Sequence, residues 1–351
     1  MTSNVDTNRS GGSSSHREQY QALRDSVGLL NLPDRGIIRV TGEQVIRMIN
    51  GLVTNDLAAL ERGAAVFAFL LTPKGRTLAT LRLFPDGPSV FLDVPAACLE
   101  TVALHLGKYL PPIYARFEPV ANLSVISLVG PLSDAALQTA LGAMGWSIPQ
   151  ALASLPPLGV TAVDGHGDEP HRVFVVRREE AEGPGFDLYV PDSELESFLA
   201  CLERSAREQE GAVVDGATHE IWRVERGLPQ YGRDISPDNL PQETGLEERA
   251  ISYEKGCYTG QEVVARIHYR GHVNRRLQGL RFDGAEPPNP GFELFLEGRT
   301  VGSVTSSVLS PRFGSIGLGY VRREIGPGSL LAASPDDDPS IETSDLPFTD
   351  P

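Results

Sequence analysis

Glu254-Lys255-Gly256-Cys257-Tyr258-Thr259-Gly260-Gln261-Glu262 concentrates reactive side chains and small residues in one short stretch. Thr259 and Glu262 have the spacing of a capping box, so a helix is expected to start at Thr259 and run through Val263, Val264, Ile267 and His268. Cys257 then lies two residues ahead of the cap and beside Lys255. A helix N-terminus and an ammonium both stabilise a thiolate, so this is where a lowered cysteine pKa is expected. Gly256 and Gly260 remove side-chain cover and admit a ligand. The alternative is an inert cysteine in a tight turn, the common fate of a free thiol. Cys98 and Cys201, set among Leu and Ala in helical patterns, are assigned to the core.

Immediately downstream the charge inverts. Residues 263–282 hold five arginines (Arg266, Arg270, Arg275, Arg276, Arg281), two histidines and no acid, within a chain of formal net charge −15. Arginine suits bidentate carboxylate or phosphate, so this island is a candidate anion site with Arg276 as a contact. A solvated face paired with acidic surface is the plainer reading of such a run. His268, His272 and Cys257 make only three donors where a structural zinc site wants four, so no metal is assigned. A second group is Trp222-Arg223-Val224-Glu225-Arg226-Gly227-Leu228-Pro229-Gln230-Tyr231-Gly232. Glu225 could accept from the ring N–H groups of a planar heterocycle and Tyr231 could stack on it. Equally, Arg223 and Glu225 could brace a domain interface, and spacing alone favours that.

The elements that must position these residues mix helix and strand. With 351 residues, two or three domains and a sizeable core are expected. A 40% hydrophobic content excludes a disordered or fibrous chain, and the acidic balance argues against coating nucleic acid or anionic membrane. Three scattered cysteines without a CxxC, no apolar leader and no long apolar run point to a cytoplasmic protein without disulfides. Residues 1–18 read as a disordered tail, and 333–351, with six acids and no base, as a second one. Strands are expected at 36–40, 65–71, 77–84 and 89–94, with Thr72-Pro73-Lys74-Gly75-Arg76 as a hairpin turn. Helical spacing covers 43–52, 96–106, 133–143, 192–204 and 217–226. The Pro/Gly-rich stretch 148–167 reads as a long loop, and short glycine-rich strands after 277 as a small antiparallel barrel.

Taken together, these segments resemble the YgfZ family of folate-binding proteins, relatives of the glycine-cleavage aminomethyltransferase (GcvT). The resemblance rests on Lys255-Gly256-Cys257-Tyr258-Thr259-Gly260-Gln261-Glu262, with support from Gly51-Leu52-Val53-Thr54-Asn55-Asp56, Lys74-Gly75-Arg76, Arg223-x-Glu225-x-Gly227-Leu228-Pro229 and Leu318-Gly319-Tyr320-Val321-Arg322. It implies an α+β, three-domain cloverleaf around a central channel with a small C-terminal antiparallel β-barrel. The implied parts are a folate-binding GcvT-like region over 19–119 and 205–272, a second α+β subdomain over 120–204 and a barrel over 273–332. The implied cofactor is tetrahydrofolate or a derivative. The implied role is assembly or repair of iron–sulfur clusters in transiently bound client proteins by a monomer, with Cys257 and Lys255 functional and Arg223, Glu225 and Tyr231 near the folate. Two departures follow from the aminomethyltransferase pattern. Glu100 aligns with their catalytic Asp, and Gly183 stands where they keep a pterin-binding Glu, which argues against aminomethyl transfer. A folate-dependent one-carbon transferase using Glu100 or Asp93, and a non-catalytic folate sensor, are the competing expectations.

Overall fold

A computed structural model describes residues 15–146, 152–165, 172–179 and 185–350. Three sheets organise the chain, each built from the alternating or fully apolar strand runs of its own region. The first is five-stranded and antiparallel, in the order Val66–Leu71, Thr77–Asp86, Ser89–Pro95, Arg35–Thr41, Arg116–Val120. Helices Val45–Asn50 and Leu99–Tyr109 cover one face, burying Ile49, Val102 and Leu106 against Ile38, Leu81 and Leu92. The second is six-stranded, in the order Ala212–Val213, Gly28–Asn31, Leu123–Val129, Gly185–Pro191, Arg172–Arg177, Val160–Asp164. Its outer face carries helices Ser133–Ala143 and Leu195–Glu208, which bury Leu137, Leu141, Phe198 and Leu202.

The inner faces of these two sheets meet through aromatic rings. Phe84 and Phe91 of the first pack on Phe174 and Tyr189 of the second, with ring centroids 4.4 Å apart for Phe84–Tyr189 and 5.2 Å for Phe91–Phe174. Such tilted pairs add roughly 0.5–1.5 kcal/mol each beyond the area they bury. Helix Gly216–Glu225, capped by Asp215, then crosses from the second sheet to the barrel, and its Val224 joins the barrel core. The barrel is antiparallel, in the order Glu293–Leu296, Arg299–Ser310, Gly314–Arg322, Arg275–Phe282, Ile341–Ser344, Leu330–Leu331. A bridge between Phe295 and Ala332 brings its first and last strands together, so it is nearly closed. The architecture is the α+β cloverleaf with a C-terminal barrel that the resemblance implied. Among the described residues, no helix is long and apolar enough to cross a membrane.

Three expectations need correction. The segment 333–351 is not a loose tail over its described part: Ile341–Ser344 pairs antiparallel with Arg275–Phe282, and Ile341 and Phe348 are buried. Alternating burial along Ile341–Ser344 hides Ile341 and Thr343 while Glu342 faces water, a pattern that charge counting alone overlooks. Within 148–167, Val160–Asp164 is a strand, the edge of the second sheet; 147–151 and 166–171 lie outside the described residues. At the other end, Ser15 caps a helix His16–Asp25 through a capping box with Glu18, so order begins inside the expected tail. Residues 1–14 lie outside the described residues.

Phe348 fills space that Gly279 leaves, where a Cβ would stand 2.8 Å from its ring. Phe348→Ala should therefore cost about 3–5 kcal/mol in urea unfolding, the range for a buried aromatic truncated in a packed core. Unchanged stability would mean the C-terminal segment is not part of the barrel.

Candidate functional site

Where the two large sheets, helix Gly216–Glu225 and the loop 228–231 converge, they enclose a cavity of about 420 Å3. Trp222, Phe67, Tyr231, Leu30 and Val125 give it apolar walls. Its charged lining is nearly balanced, Arg35, Arg82, Arg178, Arg223 and Arg249 against Asp34, Asp93, Asp187 and Asp215. A compensated lining with aromatic walls suits an uncharged planar ring better than a polyanion, and the volume lies in the usual range of small-molecule pockets, roughly 300–1,000 Å3.

The buried charges are held across the sheets. Asp187 Oδ1 accepts from Ser127 Oγ at 2.6 Å and from Arg178 Nη1 at 3.2 Å, and its other oxygen accepts from Arg82 of the facing sheet. Burial alone would raise this carboxyl, but Arg178, Arg82 and Ser127 outweigh it and hold it well below the usual carboxylate range. Asp93 mirrors the arrangement: Arg35 donates to Oδ1 through Nε and Nη2, both at 2.7 Å, and Tyr189 of the facing sheet donates to Oδ2 at 2.7 Å. His219 stacks on Trp222 with centroids 5.9 Å apart, and the Arg178 guanidinium lies 5.5 Å from the same indole. Burial, with Arg178 nearby, pulls the His219 imidazole down to about 4, so it faces the cavity uncharged at neutral pH.

The expected site residues divide. Arg223 and Tyr231 line the cavity. Arg223, however, spends its donors on Glu220, Asp234, Leu228 O and Ser306 Oγ, which makes it a brace between helix, loop and barrel. Tyr231 lies against Cys98, and burial, with that thiol beside it, pushes the phenol up to about 12. Glu225 faces away from the cavity and accepts from Tyr20 Oη at 2.8 Å and Ser310 Oγ at 2.5 Å, so it ties the first helix to the barrel. Glu100 and Arg276 are exposed and absent from the cavity lining. Gly183 lies outside the described residues.

Cys257 and Lys255 lie outside the cavity lining. The helix begins at Gln261 with Gly260 at its N-cap in the left-handed region, φ 86°, and no side-chain cap forms, so the Thr259–Glu262 box is not made. Gly260 is required there by contact as well, since a Cβ would stand 2.7 Å from Thr72 O. Tyr258 buries against Phe69 and Leu71, and Lys255 Nζ donates to the carbonyls of Asn50, Val53 and Asn55 at 2.6, 2.8 and 2.8 Å. Burial pulls this ammonium down to about 8. Its three donors are thus committed to backbone rather than to a thiolate partner, while Cys257 stays exposed. The segment is an anchored loop that presents a thiol to solvent.

Against known proteins, residues 7–255 match the GCVT N-terminal domain and 275–350 the glycine cleavage T-protein C-terminal barrel domain. The chain belongs to the GCVT family. Similar relatives include an aminomethyltransferase of Prochlorococcus marinus (strain MIT 9303), 28% identical over 87% of this chain and 81% of the relative, and one of Bacillus subtilis (strain 168), 23% identical over 89% and 84%. The structure of glycine cleavage system aminomethyltransferase T from Bartonella henselae superposes with a TM-score of 0.81, covering 95% of this chain and 89% of that one at 21% identity, and shares the fold. The cavity between the sheets is concave, apolar-walled and lined by convergent polar groups, which makes it the place to look for a ligand. Its principal charged residues, Arg82, Arg178 and Asp187, were missed by spacing arguments. Their signal was present: Asp187 is the one charge in its apolar strand, and Arg82 is the one charge within Thr77–Asp86 ahead of its terminal Asp86, positions where a charge is uncommon unless paired or functional.

Stability should fall on the acid side in two stages. His219, with a folded pKa below its unfolded value of about 6.5, takes up its proton more readily when unfolded, so stability drops as pH falls from about 6.5 to about 4. Asp187, with its folded pKa depressed, contributes stability above its unfolded pKa of about 3.9 that is lost as pH falls further. Urea unfolding across pH 3–7 should show both limbs, and His219→Gln should flatten part of the upper one. Asp187→Asn should cost about 3–5 kcal/mol at pH 7 by leaving Arg82 and Arg178 without their buried carboxylate. A flat profile in the wild type would contradict the assignment.

Proposed function

We propose that this protein binds a reduced folate in the central cavity and acts on the one-carbon unit that the folate carries. The observation that carries the reading is the aromatic, charge-compensated cavity between the sheets of a GCVT family chain. Trp222, Phe67 and Tyr231 supply apolar faces for a planar ring, and neutral His219 and the Asp187–Arg178 pair supply polar edges. When bound, tetrahydrofolate would supply the ring nitrogens on which a one-carbon unit rides. The relatives are named aminomethyltransferases, which favours folate-dependent one-carbon transfer, with Asp93 rather than Glu100 as the carboxylate at hand. Asp93 is buried and held at a fixed angle by Arg35 and Tyr189, which orients one face of the carboxylate and keeps water from it.

A second reading rests on a different observation. The loop that resembles the YgfZ signature presents Cys257 to solvent and is clamped by Lys255, as expected of a thiol offered to a large partner rather than to a cavity ligand. In that reading the protein is a cytoplasmic, folate-binding accessory factor for iron–sulfur client enzymes, and Cys257 is its working group.

Thermal melts with tetrahydrofolate and its 5-formyl form test the shared part, because a ligand bound to the folded state at a hundred times its Kd stabilises by about 2.7 kcal/mol. No shift with any folate would overturn both readings. Folate binding with one-carbon transfer that Asp93→Asn abolishes would establish the transferase. Folate binding without transfer, together with a Cys257→Ala defect confined to iron–sulfur enzymes, would establish the accessory role.

A further inference from the structure

The five-stranded sheet ends on Arg116–Val120, which pairs with Arg35–Thr41 on one side and with no strand among the described residues on the other. An open strand edge is a template for a further strand unless something blocks it. Pro119 has no N–H to give, so the ladder to Arg35–Thr41 runs through Arg116, Glu118 and Val120. Phe117, between them, turns its N–H and C=O to the open side. Two residues before it, Ala115 already gives its N–H to Pro111 O at 3.2 Å.

The surface beside this edge is apolar. Ile113 is 85% exposed and Leu104 69%, with Tyr114 exposed next to them. Looseness does not explain Ile113: Tyr114 and Ala115 both donate to Pro111 O, Tyr114 O accepts from Gln44 N, and Ala115 is buried. Gly107 lies over the Phe117 ring, and Leu104 sits one turn earlier on the same side of helix Leu99–Tyr109, which sets it by the edge. A fixed cluster of large apolar side chains around an unpaired strand marks an interaction surface.

We propose that this edge is the two-fold interface of a homodimer, in place of the monomer that the resemblance implied. The charges name a second copy as the occupant. Arg116 and Glu118 flank Phe117, are exposed, and have no ion-pair partner among the described residues. A second copy laid antiparallel about Phe117 bonds N–H to C=O at that residue in both directions. It also sets Arg116 opposite Glu118 of the second copy and Glu118 opposite its Arg116, so one patch complements itself. Pro119 and the committed Ala115 N–H stop the pairing there. The other edge of the sheet is covered by the bridge from Leu70 to Val53, so the assembly closes at two chains.

Sedimentation velocity on the full chain, from micromolar to near-millimolar concentration, tests the assignment. The mass should rise with concentration from that of one chain to that of two. Arg116→Glu should weaken the dimer about tenfold, because two attractive pairs become two repulsive ones. Adding Glu118→Arg to that variant should restore dimerisation, which a merely structural arginine would not produce. Ile113→Asp should weaken the dimer as well, and all three variants should melt as the wild type does, since these side chains are exposed. A chain that stays monomeric throughout, whatever else its edge then binds, would overturn the proposal. So would a dimer indifferent to Arg116→Glu, or a loss that the double exchange does not reverse.

Discussion

The structure depends on two carboxylates buried between sheets. Asp187 of one sheet is paired with Arg82 of the other, and Asp93 of the latter is bonded to Tyr189 of the former. A charge buried this way is tolerated only with its partner in place and its remaining lone pairs filled, so each contact permits one spacing and one rotation of the sheets. The aromatic layer of Phe84, Phe91, Phe174 and Tyr189 supplies adhesion, but apolar packing alone would accept small slips. The paired charges exclude them. The cavity that opens beside them is therefore preformed, with polar groups already aimed and desolvated.

Much of the architecture was legible in the sequence because strand and helix periods report the face that meets the core. The hairpin around Lys74-Gly75-Arg76, the helix Ser133–Ala143 and the barrel strands follow from spacing, Pro/Gly turns and short apolar runs. The acidic C-terminal segment did not, because six acids outweighed the in–out alternation that seats Ile341 and the single apolar ring of Phe348 beyond it. The site was less legible. Sequence motifs are dense and local, whereas the cavity is assembled from single residues of strands far apart in the chain, such as Arg82 and Asp187. A motif such as Thr259-x-x-Glu262 also has two uses. Here the close approach to Thr72 places Gly260 at the helix start, and tertiary contact overrides the local cap.

The most distinctive segment of the chain and its most ligand-like cavity are thus different places. Lys255 belongs to the scaffold: its ammonium gathers three carbonyls of the 50–55 turn and fixes the loop that carries Cys257. Gly75 meets Val263 of the following helix, and Arg76 reaches Asp238 O at 2.5 Å, so the hairpin and the loop are docked as a unit.

Of the two tryptophans in the chain, Trp222 lines the cavity and Trp146 packs in the outer core of the second sheet. Titrating 5-formyltetrahydrofolate into a Trp146→Phe variant while following the emission of Trp222 therefore reports on the cavity directly. A saturable change in emission is expected, and Asp187→Asn should weaken or abolish it. An emission that stays constant up to millimolar folate, in a protein shown to be folded, would contradict it.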